Sequence, residues 1–334
     1  MKAFTLPSLA TLLALAFANQ AAALDKVSFA TNWLAEAEHG GFYQAVADGT
    51  YAKYGLEVTI VQGGPQTANQ TLLLADKVQF YMRGNFIGAF SAAEQKIPVI
   101  EVAAIFQKDP QVMIVHPDSG IGTFADLAKA PVLYLARDFL ATGFEWMKAA
   151  YPALRDEQVR PYAFNPTPFL ANKASSQQGY VTSEPYEIER QGGFKPRVFL
   201  LADYGYSTPS TTIEAKADYV TANPDIVQRF VDASIVGWYN YLYGDSRPGN
   251  ALIKKENPEM TDGQIAFSIA KIKEHGLVDS GAAATGGIGC LSSDQVKDFY
   301  DKMVAAKVVT TGFDYTKTFT TRFTCKRVGV ELRK

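Results

Sequence analysis

Cysteine and histidine are scarce in these 334 residues: Cys290 and Cys325, then His39, His116 and His275, with no CxxC or HxxxH spacing among them. That scarcity argues against a zinc or iron–sulfur site built from clustered soft ligands. An excess of positive charge is also missing. Lys and Arg total 32 against 34 Asp and Glu, too even a balance for neutralising a phosphate backbone, so nucleic acid is not an expected partner. Past the first 23 residues there is no apolar run approaching the roughly 20 residues a bilayer requires. Repeats and low-complexity linkers are absent too. What the chain does have is 47% hydrophobic and 12% aromatic residues, enough for a packed core in about two domains.

The N-terminus reads as an address. Lys2 supplies the positive start, Leu9 to Ala18 the short apolar stretch, and Ala21-Ala22-Ala23 the small-residue cleavage pattern of a secretory signal. Residues 1–23 are therefore expected to be removed and the mature protein exported. In an oxidising compartment Cys290 and Cys325 can close a loop of roughly 35 residues, for about 3 to 4 kcal/mol on the chain-entropy model. The alternative is two buried thiols.

From Val27 the chain alternates strands and helices. Strands are expected at Val27–Ala30, Leu56–Val61, Val78–Met82 and Pro98–Ile105, with helices at Gly41–Ala47, Gln66–Ala75 and Phe86–Glu94 between them. Arg83-Gly84-Asn85 is read as a turn. A second set has strands at Val112–Val115, Pro131–Ala136, Val159–Ala163, Gly179–Val181 and Val198–Leu201. Its helices fall at Thr142–Ala150, near Pro168–Ser175, and at Ser183–Gln191 with Ser183 as N-cap. From Tyr219 the chain is mostly helical. Alternation with short connections predicts an α/β fold of two lobes, each a doubly wound sheet flanked by helices. Strands crossing near Gln107–Gln111 and Tyr206–Ile213 would hinge lobe I (24–108 plus 212–334) against lobe II (109–211).

In open α/β sheets ligands sit outside the carboxyl ends of the strands. Trp33, Arg83, Asn85, Arg137 and Asp138 each follow an expected strand end, and Ser183 and Glu184 start a helix at the same kind of edge. A flat ring would stack on Trp33, with Tyr81, Phe139 and Tyr186 as further aromatic candidates. Asn32, Asn85 and Glu184 would meet its hydrogen-bonding groups. Glu184 suits an exocyclic amine or protonated ring nitrogen; an organic anion would want Arg83 or Arg137 with helix N-terminal N–H groups. Each has a plainer competitor: Trp33 as a core plug, His39 as a fixture of the chain entry to a helix, Glu184 as a complement to the helix dipole, Asp138 as an N-cap.

Two stretches, Trp33-Leu-Ala-Glu-Ala-Glu-His39-Gly40-Gly41-Phe42-Tyr43 and Gly49-x-Tyr51-x-Lys53-x-Gly55-Leu56-x-Val58, resemble the opening of NMT1/THI5-like periplasmic substrate-binding proteins. Gly63-Gly64-Pro65, His116-Pro117-Asp118-Ser119-Gly120-Ile121 and Ser183-Glu184-Pro185-Tyr186 extend the resemblance. It implies a type II periplasmic binding protein that closes on a small molecule and delivers it to an ABC transporter permease. It would act as a monomer, with no cofactor and no catalysis. Several members bind the thiamin pyrimidine, while sulfonate, taurine and nitrate binders share the later motifs. Ala35 and Glu36 stand where a Pro and an Asn usually lie, which leaves the ligand open between a thiamin-pyrimidine-like heterocycle, a sulfonate-type anion and a flavin-like ring. The family name also covers a eukaryotic enzyme that makes the thiamin pyrimidine with a pyridoxal phosphate lysine, histidine and iron. That resemblance requires a Cys-rich motif this chain lacks, and no Gly-x-Ser-x-Gly elbow is present either.

Overall fold

Ten short strands, several of them runs of β-branched and aromatic residues, form in the computed structural model, which describes residues 23–65 and 67–333. They are β1 Asp25–Ala30, β2 Leu56–Val61, β3 Phe80–Asn85, β4 Val99–Phe106, β5 Gln111–Val115, β6 Leu133–Leu135, β7 Val159–Pro161, β8 Ser176–Tyr180, β9 Arg197–Leu200 and β10 Ser210–Lys216. The expected signal segment lies outside the described residues, except for Ala23. Among the described residues no helix is long and apolar enough to cross a membrane.

The strands form two five-stranded sheets with equivalent topologies, β2-β1-β3-β10-β4 and β7-β6-β8-β5-β9. In each sheet four strands run parallel, and the fifth, β10 or β5, is antiparallel to both neighbours. That odd strand is the one that has just arrived from the other lobe. The chain crosses through residues 107–110 and returns through 201–209, so each sheet is completed by a strand the other lobe delivers.

Several expected elements differ in detail. Arg83-Gly84-Asn85 is the end of β3, because Ser210 and Thr212 of β10 pair with Asn85 and Arg83. The helix expected over 66–75 is formed only at Gln70–Leu74; Gln66 lies outside the described residues. The helix expected from Thr142 starts earlier, at Arg137, and passes through a π-helical turn at Leu140–Phe144 before reaching Ala150.

Five helices matter for the cleft: α1 Gly40–Ala47, α2 Glu184–Gly192, α3 Pro224–Tyr243, α4 Asp262–Glu274 and α5 Ser293–Ala305. In α3, Pro224 sits in the first turn, where its missing N–H costs nothing. Val227, Phe230, Val231, Ser234, Trp238 and Tyr241 then recur at helical spacing and are fully buried. Phe230 stacks on Phe80 with centroids 4.1 Å apart, each such burial contributing roughly 1.5 to 3 kcal/mol. α1 crosses α3 at glycine: a Cβ on Gly237 would lie 2.3 Å from the Gly41 carbonyl oxygen. This close approach fixes the N-terminus of α1, and with it the loop that precedes it. α4 and α5 are capped by side chains, the Thr261 and Ser292 hydroxyls accepting from the Gln264 and Gln295 backbone N–H groups. Cys290 and Cys325 form a disulfide.

Candidate functional site

A cleft of about 790 Å³, solvent at its mouth included, lies between the lobes. Its first wall is the 32–39 loop between β1 and α1, contributing Asn32, Trp33, Glu36, Glu38 and His39, with Met82 and Gly84 of β3 and Thr211 of β10 below. The loop is pinned from behind: Gly63 N–H donates to the Trp33 carbonyl at 3.0 Å, Gln62 Oε1 accepts from Ala35 N–H at 3.1 Å, and Asn257 Nδ2 donates to the Ala35 carbonyl at 2.9 Å. Gly63 is required there, since a Cβ would meet backbone atoms of Thr31 and Asn32 at 2.6 Å. Gly63-Gly64-Pro65 therefore shapes the wall from outside it.

The second wall comes from the other lobe: Gln111 of β5, Gln178 and Tyr180 of β8, Tyr162 and Phe164 after β7, and Glu184 opening α2. Glu184 folds back across β8, passing 2.8 Å from where a Cβ on Gly179 would stand. Its Oε2 accepts from Tyr180 N–H at 2.7 Å and its Oε1 from the Tyr162 hydroxyl at 3.1 Å. Each oxygen keeps a lone pair for a guest.

The electrostatics of the cleft are one-sided. Glu36, Glu38, Glu184 and the more exposed Asp138 line it, and none of its described lining residues is a lysine or arginine. Burial holds the Glu36 carboxyl well above its ordinary range, and Glu38 and Glu184 raise it further. Burial, opposed by local hydrogen bonds, pushes Glu38 up to about 7. Glu184 is raised too, burial outweighing its two donors. His39, 1% exposed, is lowered by burial to about 3 and is neutral. Its approach to Glu36, 4.0 Å from Nε2 to Oε1, is thus no ion pair at neutral pH. Asn32 Oδ1, Glu38 Oε1 and His39 Nδ1 are buried without a hydrogen-bond partner.

Of the residues expected at the site, Asn32, Trp33, His39, Asp138 and Glu184 line the cleft, and the structure brings them together. Tyr81, Arg83, Asn85, Arg137, Phe139 and Tyr186 do not line it. In β3 the alternation of faces decides: Met82 and Gly84 point into the cleft, so Tyr81, Arg83 and Asn85 point away. Arg83 lies instead between two carboxylates, its Nε 3.0 Å from Glu101 Oε1 and 2.8 Å from Glu214 Oε2. Asn85 Oδ1 accepts from Ile87 N–H at 3.2 Å. Tyr81 packs on the small cluster of Ala30, Leu73 and Val78. Arg137 is exposed to solvent. Phe139 is 1% exposed in the second core cluster, and Tyr186 packs on Phe267 of α4, centroids 5.5 Å apart. Trp33 is no core plug: it is half-buried, its ring 4.7 Å from that of Phe164 across the gap.

Sequence reasoning missed Glu36 and Glu38 as site groups, and with them Gln111, Tyr162, Phe164, Gln178 and Tyr180. One signal was available. Ser176-Gln177-Gln178-Gly179-Tyr180 is a polar strand inside a covered sheet, and a buried polar strand in such a sheet needs partners.

Two lobes, each completed by a strand from the other and enclosing a cleft between them, define the periplasmic-binding-protein fold. The chain belongs to the NMT1/THI5 like family, whose model matches residues 36–244. It is 23% identical over 220 residues to the riboflavin-binding protein RibY of Chloroflexus aurantiacus, covering 64% of this chain and 62% of that protein. The match thus spans less than two thirds of that relative's length. The structure resembles the periplasmic aliphatic sulphonate binding protein SsuA of Escherichia coli (TM-score 0.65, 14% identity, covering 88% of this chain and 97% of that one). It also resembles the desulfurization enzyme DSZB (TM-score 0.56, 13% identity, 90% and 97% covered), so the fold serves binding and catalysis alike.

Proposed function

We propose that this protein is the exported solute-binding component of an ABC importer, and that its lobes close over a small flat heterocycle carrying amine or protonated ring-nitrogen donors. The observation that carries the reading is the cleft's composition: three raised carboxyl groups, unpartnered acceptor oxygens on Asn32 and Glu38, aromatic rings at the mouth, and no cation among the described lining residues. A donor-rich ring supplies what those groups lack. Each hydrogen bond from an amine to the Glu184 carboxylate is worth about 1.5 to 3 kcal/mol net. A thiamin-pyrimidine-like amine fits this description. A flavin-like ring, which the likeness to RibY favours, offers a flat face and a ring N–H. The likeness to SsuA favours an organic anion, but such a ligand would find no cation among the described lining residues to neutralise it.

No bond is made or broken in this role. The crossings at 107–110 and 201–209 act as hinges, and the ligand shifts the population toward the closed form because only that form gives it both walls. The closed form presents the permease with a different surface. Mass spectrometry of whatever co-purifies with the protein, followed by a thermal-shift screen, tests the proposal. A bound amino-heterocycle is expected, with stabilisation of about 2.7 kcal/mol at a hundredfold excess over Kd. Recovery of a sulfonate, with no thermal response to any heterocycle, would overturn it.

A further inference from the structure

Phe164 occupies an unusual position for a large apolar residue. It is 47% exposed, and its φ of 57° lies in the left-handed region, where a bulky side chain is strained and a functional reason is to be sought. Its neighbours hold it there. On one side Tyr162 is buried, its amide donating to the Leu135 carbonyl at 3.0 Å and its hydroxyl to Glu184. On the other, Asn165 Oδ1 accepts from Thr167 N–H at 2.9 Å and Pro166 leads into the helix at Thr167–Ala171. The strained residue is thereby aimed across the cleft at Trp33, with centroids 4.7 Å apart and planes tilted by 54°. One ring belongs to each lobe, and the hinge lies between them.

We infer that Trp33 and Phe164 form a two-sided aromatic clamp, in which the ring of the ligand enters between them and is stacked on both faces. The inference rests on the proposed function, and it adds a specificity device: flatness is selected by two faces that approach from opposite lobes. A guest ring needs its own aromatic spacing of ~4.5 Å or more on each side, so the pair parts as the ligand enters and holds it from both lobes. Phe164 therefore acts mainly on residence time, while Glu184 selects the donor groups.

The test measures affinity by calorimetry and dissociation by stopped-flow fluorescence for native protein and for Phe164→Ala, Phe164→Leu, Phe164→Trp and Phe164→Tyr. Probes are 4-amino-5-hydroxymethyl-2-methylpyrimidine, riboflavin and naphthalene-1-sulfonate, with ethanesulfonate as a control that has no ring. Phe164→Ala is expected to weaken the flat probe that binds by ~10- to 100-fold, mostly through faster dissociation. Trp and Tyr are expected to restore binding to within about threefold, and Leu to resemble Ala, because stacking and not apolar cover is at issue. Melting temperatures should be unmoved, the side chain being half exposed. A Phe164→Ala protein that binds within twofold of native, or a Leu variant as good as Phe, overturns the clamp and leaves the proposed function standing. Phe164-dependent binding of naphthalene-1-sulfonate without pyrimidine or riboflavin binding keeps the clamp and overturns the amine reading. Native protein that binds no flat probe overturns both.

Discussion

Two clusters of buried carboxylates lie in this molecule, and they are resolved in opposite ways. In the first sheet Glu101 and Glu214 face each other directly across β4 and β10, a like-charge pairing that is destabilising by itself. Arg83 reaches both from β3. Burial alone would depress its guanidinium, but Glu214 and Glu101 more than offset that. Glu101, raised by burial and by Glu214 to about 8, holds a proton near neutral pH. That cluster has its cation within the protein, although Glu101 Oε2 is buried without a hydrogen-bond partner. The cleft gathers Glu36, Glu38 and Glu184 with no cation among its described lining residues, and burial keeps its carboxyls raised although hydrogen bonds to Glu38 and Glu184 oppose the shift. A fold that places an arginine against one acidic cluster leaves the other without a cation among its described lining residues, and in the proposed function the ligand supplies the missing donors.

The largest expected effect comes from opening the closed cluster. Arg83→Met leaves the Glu214 carboxylate and its Glu101 neighbour buried without their cation and should cost about 3 to 5 kcal/mol in urea unfolding. The folded fraction should bind ligand as native does. An unchanged midpoint would mean the two clusters do not differ as described. The second effect is a pH dependence in the empty cleft. Glu38 has a folded-state pKa of about 7, above its unfolded value, so its contribution is full below about pH 4.5 and is lost as pH rises through 7. The loss is on the order of 3 kcal/mol. Glu38→Gln should therefore gain stability relative to native between pH 4.5 and 8 in the absence of ligand, and a pH-independent difference would count against it. Third, Glu184→Gln should weaken an amino-heterocycle by about 1.5 to 3 kcal/mol in calorimetric titration, leaving the melting temperature near native. The smallest effect is at Glu101. Because it already carries a proton, Glu101→Gln should change stability at pH 7 by less than about 1 kcal/mol; a loss matching that of Arg83→Met would show that the charge on Glu101 matters.

Much of the fold was legible because it is local. Leu56–Val61 forms as read, bracketed by Gly55 and by Gly63-Gly64-Pro65, and the chain from Tyr219 is mostly helical as expected. The errors lie where distant chain decides. Arg83-Gly84-Asn85 looks like a turn until β10 returns from the other lobe to pair with it. The partners that take Arg83 away from the cleft, Glu101 and Glu214, are 18 and 131 residues away. Trp33 and Glu184 stood out because strand ends and helix starts are visible in sequence. Tyr162, Phe164 and Gln178 did not, since facing a cleft depends on how a second lobe is placed, and no local pattern encodes that.

Side-by-side calorimetric titration of the native protein with 4-amino-5-hydroxymethyl-2-methylpyrimidine and with ethanesulfonate addresses the acidic cleft most directly. Saturable binding of the pyrimidine at micromolar or tighter Kd, with no heat from the sulfonate, is the expected result. Saturation by ethanesulfonate with none by the pyrimidine would contradict it.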